Sequence, residues 1–210
     1  MSLWDDLAQE RLAIADRLDT LTSEQWQVPS LCSAWDVKGV AAHLLTTAEF
    51  TRTELLGGML KARGNVDRFQ VLLAADRANL GTAELTARMR SSAAARKAPP
   101  VVGVIGPYTD ALVHQLDMWI PLGLVDDRPV ERWRPTLDFL VSAKARVGFL
   151  PGRAPALWYQ ATDLEWQHGT GDVVSAPAAA LALALLGRTA RLDELDGPGA
   201  DGLRAWATGG

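Results

Sequence analysis

The sequence predicts a mainly α protein: a helical bundle over residues 1–147, followed by a small α/β segment over residues 148–210. Three observations predict it. Apolar residues recur at helical spacing through the first two thirds of the chain. Pro29, Gly57-Gly58, Pro99-Pro100 and Pro121 cut that pattern into helix-length pieces. Beyond Gly148 the texture changes to an aromatic, partly alternating stretch, as a strand requires. No internal repeat or low-complexity linker separates the two parts, so the second is expected to pack directly on the first.

The first helix is read from Leu3, Leu7, Ile14, Leu18 and Leu21, spaced among charges. After Pro29, Ser33 and Asp36 stand in the spacing of a capping box. The helix they open carries Val37, Val40, Ala41, Leu44, Leu45 and Ala48, and is expected to reach about Leu56 before Gly57-Gly58. A third stretch starts near Asp67, with Phe69, Leu72, Leu73 and Leu80 on its apolar side. Gly81-Thr82 interrupts it, and Ala83 to Arg96 is rich in strong helix formers. Val101 to Gly106 is short and apolar, and periodicity leaves strand and loop both open. Pro107 suits a first helical turn, where its missing N–H costs nothing. Leu112, Val113, Leu116, Trp119 and Ile120 give the helix it opens a broad apolar face. A last bundle helix is expected from near Pro135 towards Val147, with Leu137, Leu140 and Val141.

In the second part, Ala156 to Trp166 reads as a strand, Gly169-Thr170-Gly171 as a turn, and Asp172 to Ser175 as a returning strand. Ala178 to Leu186 forms an Ala/Leu helix ended by Gly187, and a short helix closes the chain near Trp206.

Composition narrows the function classes. Of 210 residues, 48% are hydrophobic and 22% charged, which suits a folded globular chain and not a disordered one. The net charge is −4, so no positive excess offsets a phosphate backbone and general nucleic-acid binding is excluded. One cysteine, Cys32, excludes an intrachain disulfide and a Cys-rich zinc cage. No apolar run reaches the ~18–20 residues that span a bilayer, and Met1-Ser2-Leu3-Trp4-Asp5-Asp6 lacks the basic and apolar regions of an export signal. The expectation is a cytoplasmic protein without a membrane partner, monomeric or homodimeric. Its three histidines are the first residues to examine for chemistry at neutral pH.

His114 carries the most information. Asp110 precedes it by four residues on a helix, which makes the two neighbours on one face. A carboxylate and an imidazole so placed can bind one cation. Asp117, three residues further on, can hold the other ring nitrogen or replace Asp110 as ligand. The plainer alternative is that Asp110 stabilises a helix N-terminus and His114 lies on a polar face. His43 borders the apolar side of the second helix, with Gly39 leaving space beside the ring. It is either a ligand aimed at a facing helix or a core histidine bonded to a backbone carbonyl. His168 precedes a Gly-Thr-Gly turn, where it is a substrate contact or a solvated loop residue. Cys32 precedes a helix start, which lowers a thiol pKa, but no histidine motif accompanies it. No GxGxxG or Walker-type loop is present.

Taken together, these residues resemble a family. Trp26, Pro29, Cys32, Trp35, Asp36, Val37, Val40, His43 and Leu44 follow the signature spacing of the DinB-like four-helix bundles that bind metal. The closest likeness is to the actinobacterial branch named after mycothiol-dependent maleylpyruvate isomerase. That branch continues with an acidic residue four before a histidine, a second three after it, and a Pro-Leu-Gly-like helix end. Here these are Asp110, His114, Asp117 and Pro121-Leu122-Gly123. The run Thr162 to Gly171, with Pro177 and Gly187-Arg188, is similar to the small α/β extension of that branch.

The resemblance implies that His43, Asp110 and His114 hold a divalent metal, most often Zn2+, with Ni2+ or another ion as the alternative. Asp110 departs from the glutamate of the isomerase and is one methylene shorter. Two histidines and a carboxylate leave a coordination position open, as catalytic zinc sites do. The resemblance further implies mycothiol as a thiol co-substrate, activated to attack a small electrophilic substrate in an isomerase or S-transferase reaction. Trp35, Trp119 and His168 are the candidates for substrate contact. Arg52, Arg68 and Arg77 are the basic side chains available to receive the thiol's acidic group. A non-catalytic metal- or ligand-binding sensor and a metal-dependent hydrolase are the competing classes.

Overall fold

Ser2 starts the first helix with a capping box. Its hydroxyl accepts from the Asp5 N–H, and the Asp5 carboxylate accepts from the Ser2 N–H. The computed structural model describes residues 2–63, 66–150 and 152–209, without the side chains of residues 52, 55, 56, 59, 66, 67, 69, 70 and 73. The expectations placed on Phe69, Leu73 and the Arg52 side chain lie outside the described residues. The chain divides into two units, Met1–Asp126 and Asp127–Gly210.

In the first unit, α1 (Leu3–Leu18) buries Leu7, Ile14, Ala15 and Leu18. A short 3-10 turn at Gln25–Gln27 buries Trp26. The next loop folds back on itself: Ser30 N–H and Oγ both donate to the Trp35 carbonyl, and Val37 N–H donates to Val28. That fold-back delays the helix. Its N-cap is Asp36, whose carboxylate accepts from Gly39 N–H at 2.7 Å, and Ser33 is exposed outside it. The capping box read from Ser33 is thus corrected by one turn.

α2 (Val37–Glu49) stops earlier than expected, because Phe50 turns to extended backbone at φ −47°, ψ 143°. Thr51 and Glu54 then form their own reciprocal cap, and α3 (Arg52–Ala62) runs through Gly57-Gly58 without ending there. α4 (Val66–Ala78) packs on α2 and α3 and buries Ala74 and Arg77. Leu72, expected on its apolar side, is exposed. α5 (Thr82–Ser91) ends before the predicted Arg96. Residues 101–104 are a turn, with Gly103 N–H donating to Pro99 O, which settles the strand-or-loop alternative.

α6 (Ile105–Trp119) is the centre of this unit: from Gly106 to Trp119 every residue is buried apart from Asp110. A helix apolar nearly all round must be covered on several sides. α6 packs against α1 and α2, and α5 touches both of those helices as well.

In the second unit, α7 (Trp133–Leu140) packs with α8 (Ala178–Leu185), and a 3-10 turn at Ala143–Arg146 replaces the expected helical run to Val147. α7, read from the sequence as a bundle helix, therefore shares the second unit. α8 is wholly buried among α7, α9 (Ala200–Ala207), β1 (Trp158–Ala161) and β3 (Val173–Ala176). β2 (Gln167–Gly169) pairs antiparallel with β1, and β3 pairs parallel with it on the other edge. The chain crosses from one edge of β1 to the other through Gly169 and Gly171, at φ +100° and +109°. A Cβ there would stand 2.1 Å from Leu157 O and 2.9 Å from Ala156 O, so only glycine fits. His168, expected in a turn, sits on β2. Among the described residues no helix is long and apolar enough to cross a membrane.

Candidate metal centre

Two helices and one loop of the first unit bring their polar residues together. α6 carries Asp110, His114 and Asp117 along one strip, as their spacing of four and three requires. α2 carries His43 on its buried face. The loop before α2 supplies Cys32 and Trp35, and it is tied to α6 where Leu31 N–H donates to the Asp117 carbonyl at 3.0 Å.

The Asp110 carboxylate bridges the two histidines. Its Oδ2 lies 3.0 Å from His43 Nε2, and its Oδ1 lies 3.4 Å from His114 Nε2. The other nitrogen of His114 faces the opposite way, with Nδ1 2.8 Å from Asp117 Oδ2. A carboxylate oxygen accepts only, so His114 Nδ1 carries the hydrogen. Cys32 Sγ–H donates to the same Asp117 oxygen at 3.1 Å, and Sγ lies 3.5 Å from His114 Nδ1. His43, His114 and Asp117 are 5%, 6% and 0% exposed, while the Asp110 side chain keeps 21% and opens the cluster to one side.

Aromatic packing limits the rings. Trp35 stacks on His43 with centroids 4.8 Å apart and planes at 23°, and meets His114 edge-on. The two imidazoles lie 4.8 Å apart at 75°. The space beside Gly39, read from the sequence as room for His43, is taken by Trp35: a Cβ on Gly39 would stand 2.9 Å from Trp35 Cβ.

The electrostatics follow from this crowding. Burial opposes charge on Asp110, yet the adjacent His43 and His114 outweigh it and hold the carboxyl well below its ordinary range. Burial likewise opposes charge on His114, but Asp110 foremost, with the hydrogen bond that Asp117 accepts and the contact with Cys32, raises its pKa well above the usual value. A further charge stands near. Arg11 of α1 is 3% exposed and donates through Nη1 to the carbonyls of Ala93 and Ala95. Burial lowers its pKa to about 10, opposed by the charge of Asp110.

The donor atoms of His43, Asp110 and His114 lie within 4.8 Å of one another, as do those of Cys32, His114 and Asp117. Around one zinc ion at ~2.0–2.1 Å, tetrahedral ligands sit roughly 3.3 Å apart. The 3.0 Å contact to Oδ2 and the 3.4 Å contact to Oδ1 of Asp110 are close to that spacing, and two imidazole nitrogens with a carboxylate are a donor set that suits a divalent cation.

The other sequence candidates are distributed differently. Trp119 is buried in α6 and makes no ring contact with the cluster among the described residues. His168 belongs to the second unit and stacks on Trp166. Arg77 is committed to Glu54 at 2.7 Å and to Glu49, which removes it as a free receiver of an acidic group. Arg68 is exposed on α4. Cys32 is the residue whose place the sequence did not reveal, because its partner Asp117 stands 85 positions away.

Comparison with known proteins bears on these residues. Residues 7–101 match the family model of the mycothiol maleylpyruvate isomerase N-terminal domain, a match that includes His43 and ends before Asp110 and His114. Among curated proteins there is no significant match. Two crystal structures share the fold. One is of the mycothiol-dependent maleylpyruvate isomerase, with 17% identity, TM-score 0.57, and 95% of this chain and 97% of that chain covered. The other is of a His-to-Ala mutant of that enzyme, with 16% identity, TM-score 0.58 and the same coverage. The family model thus matches less than half of the chain, and the fold of the whole chain is that of the isomerase.

Proposed function

We propose that the chain is a divalent-metal-dependent protein of the maleylpyruvate isomerase type, in which His43, Asp110 and His114 hold the metal and mycothiol is the co-substrate. The observation that carries this reading is the convergence of two imidazole nitrogens on one carboxylate at 3.0 and 3.4 Å. A divalent metal bound there supplies a Lewis acid that favours the thiolate over the thiol at neutral pH.

The remaining chemistry rests on the chain's own side chains. Asp117 accepts from His114 Nδ1–H, which orients the ring and leaves Nε2, on the side of Asp110 and His43, as the nitrogen that would face a metal. Trp35 lies against His43 and restricts rotation of the ring. The half-open Asp110 marks the side from which small molecules reach the cluster. The reaction class is addition of the thiol sulfur to a conjugated carbon, followed by bond rotation and loss of the same sulfur in an isomerase. In an S-transferase the sulfur stays on the product.

Elemental analysis of the purified chain and of His43→Ala and His114→Ala tests the site. Stoichiometric metal in the parent and its loss in both variants is the expected result; metal that persists in both sinks the ligand assignment. Turnover of maleylpyruvate with and without mycothiol tests the reaction. Turnover independent of the thiol rejects the mechanism, and bound metal without any turnover favours a non-catalytic binding module.

A further inference from the structure

The second unit contains a cavity of about 270 Å³, close to the lower bound of ~300 Å³ for small-ligand pockets. Its lining includes the apolar side chains of Leu140, Leu150 and Leu157 and the ring of Tyr159. The Tyr159 hydroxyl is turned aside to donate to the Pro155 carbonyl at 2.8 Å, and burial keeps it protonated by raising its pKa. The same lining includes four exposed polar residues: Arg146 and Arg153 from the segment after α7, and His168 and Thr170 from β2 and the crossing that follows it. Tyr159 and His168 are partners in the antiparallel register, and this sets them side by side on one face of the sheet. His168 is backed by Trp166, whose indole N–H is anchored on Asp138 at 2.7 Å.

Among the described residues no aspartate or glutamate lines this cavity. Several arginines elsewhere pair with carboxylates: Arg77 with Glu54, Arg88 with Glu49, Arg90 with Asp16 and Asp19, Arg191 with Glu194, Arg204 with Asp201. Arg146 and Arg153 have no hydrogen-bond or ion-pair partner among the described residues, in a chain that carries 25 acidic residues against 21 basic ones. Two unpaired guanidinium groups that share one lining with an imidazole, a hydroxyl and apolar side chains match a planar anion attached to a short hydrocarbon body.

We propose that this cavity is a binding site for a small organic carboxylate, with the carboxylate held by Arg146 and Arg153 and its apolar body on Leu140, Leu157 and Tyr159. The site lies within the second unit, and the proposal does not depend on the reading given to the metal cluster. Two arginines provide four or more N–H donors in fixed planes, which a carboxylate accepts in bidentate fashion. The aromatic and aliphatic part of the lining disfavours a fully hydrated ion such as free phosphate, which gains nothing from apolar contact.

Benzoate is the probe, followed by NMR of the full chain through the His168 and Tyr159 ring signals. Saturable shifts are expected with benzoate, and about tenfold or weaker binding of benzyl alcohol, which has the same ring without the charge. The double substitution Arg146→Gln and Arg153→Gln removes both cations from exposed positions without breaking a bond, so the fold is retained by circular dichroism. It is expected to weaken benzoate by at least about tenfold. His43→Ala is expected to leave benzoate binding unchanged. The proposal is overturned by benzyl alcohol or inorganic phosphate binding as well as benzoate, or by benzoate affinity that survives the double substitution. Benzoate binding lost in His43→Ala also overturns it, because the ligand then belongs to the metal cluster.

Discussion

The indole of Trp35 lies against the imidazole of His43, 4.8 Å between centroids, and Gly39 is the residue that permits this contact. In a helix interior, Gly→Ala ordinarily stabilises by about 1 kcal/mol. Here the new methyl group meets Trp35 Cβ at 2.9 Å, an atom too close to the backbone to move freely. Gly39→Ala is therefore expected to lose about 1–3 kcal/mol by overpacking, and to change the near-ultraviolet circular dichroism of the indole. A thermal melt with no decrease in midpoint contradicts the contact.

Asp117→Asn keeps the shape of the side chain and removes the charge that holds His114 Nδ1–H. Outer partners of metal-binding histidines contribute about 10–100-fold to metal affinity. A loss within that range is expected in a chelator-competition titration, with the helical circular dichroism unchanged.

Cys32→Ala separates the two donor sets that share His114. With His43, Asp110 and His114 as ligands, the variant retains stoichiometric metal by elemental analysis. Loss of the metal would transfer the assignment to Cys32, His114 and Asp117.

Arg11→Met tests the buried cation beside the cluster. The substitution strands the carbonyls of Ala93 and Ala95, which the guanidinium now satisfies at 3.1 and 2.9 Å. Hydrogen bonds to charged groups contribute about 1.5–3 kcal/mol each, and removal of the guanidinium relieves its own burial cost. A stability loss of roughly 2–4 kcal/mol in urea unfolding is the expected outcome.

Glu54 gives the pH prediction. Its hydrogen bond from Arg77 is the main cause that lowers its pKa from 4.5 to about 2. A depressed folded-state pKa contributes stability above the unfolded value of 4.5, and this is lost as pH falls through 2. The urea midpoints of the parent and Glu54→Gln should differ at pH 6 and converge towards pH 2. The gap is small because the Glu54 side chain is one-third exposed and screened by water.

Much of this was legible along the chain. Asp110, His114 and Asp117 share a helix strip, so their spacing alone places them together, and resemblance adds His43 from another helix. The break at Phe50 was legible too, since Thr51 and Glu54 spell a capping box that the glycine pair obscured. Ser33 was misread because its spacing to Asp36 imitates such a box, while a fold-back through Ser30 moved the helix start to Asp36. α7 was assigned to the bundle because an amphipathic helix shows which face is buried and not what covers it. Cys32 could not be placed, since nothing local records a contact across the bundle.

Cluster contacts span 67, 82 and 85 positions of sequence, from His43 to Asp110, Cys32 to His114 and Cys32 to Asp117. Closing loops of that length comes late in folding, after local helices have formed. The complete site consequently exists only in the folded chain, since α6 alone brings Asp110 and His114 and α2 alone brings His43. A cation that binds all three ligands recognises only the folded bundle, so its binding energy adds directly to the stability of that state.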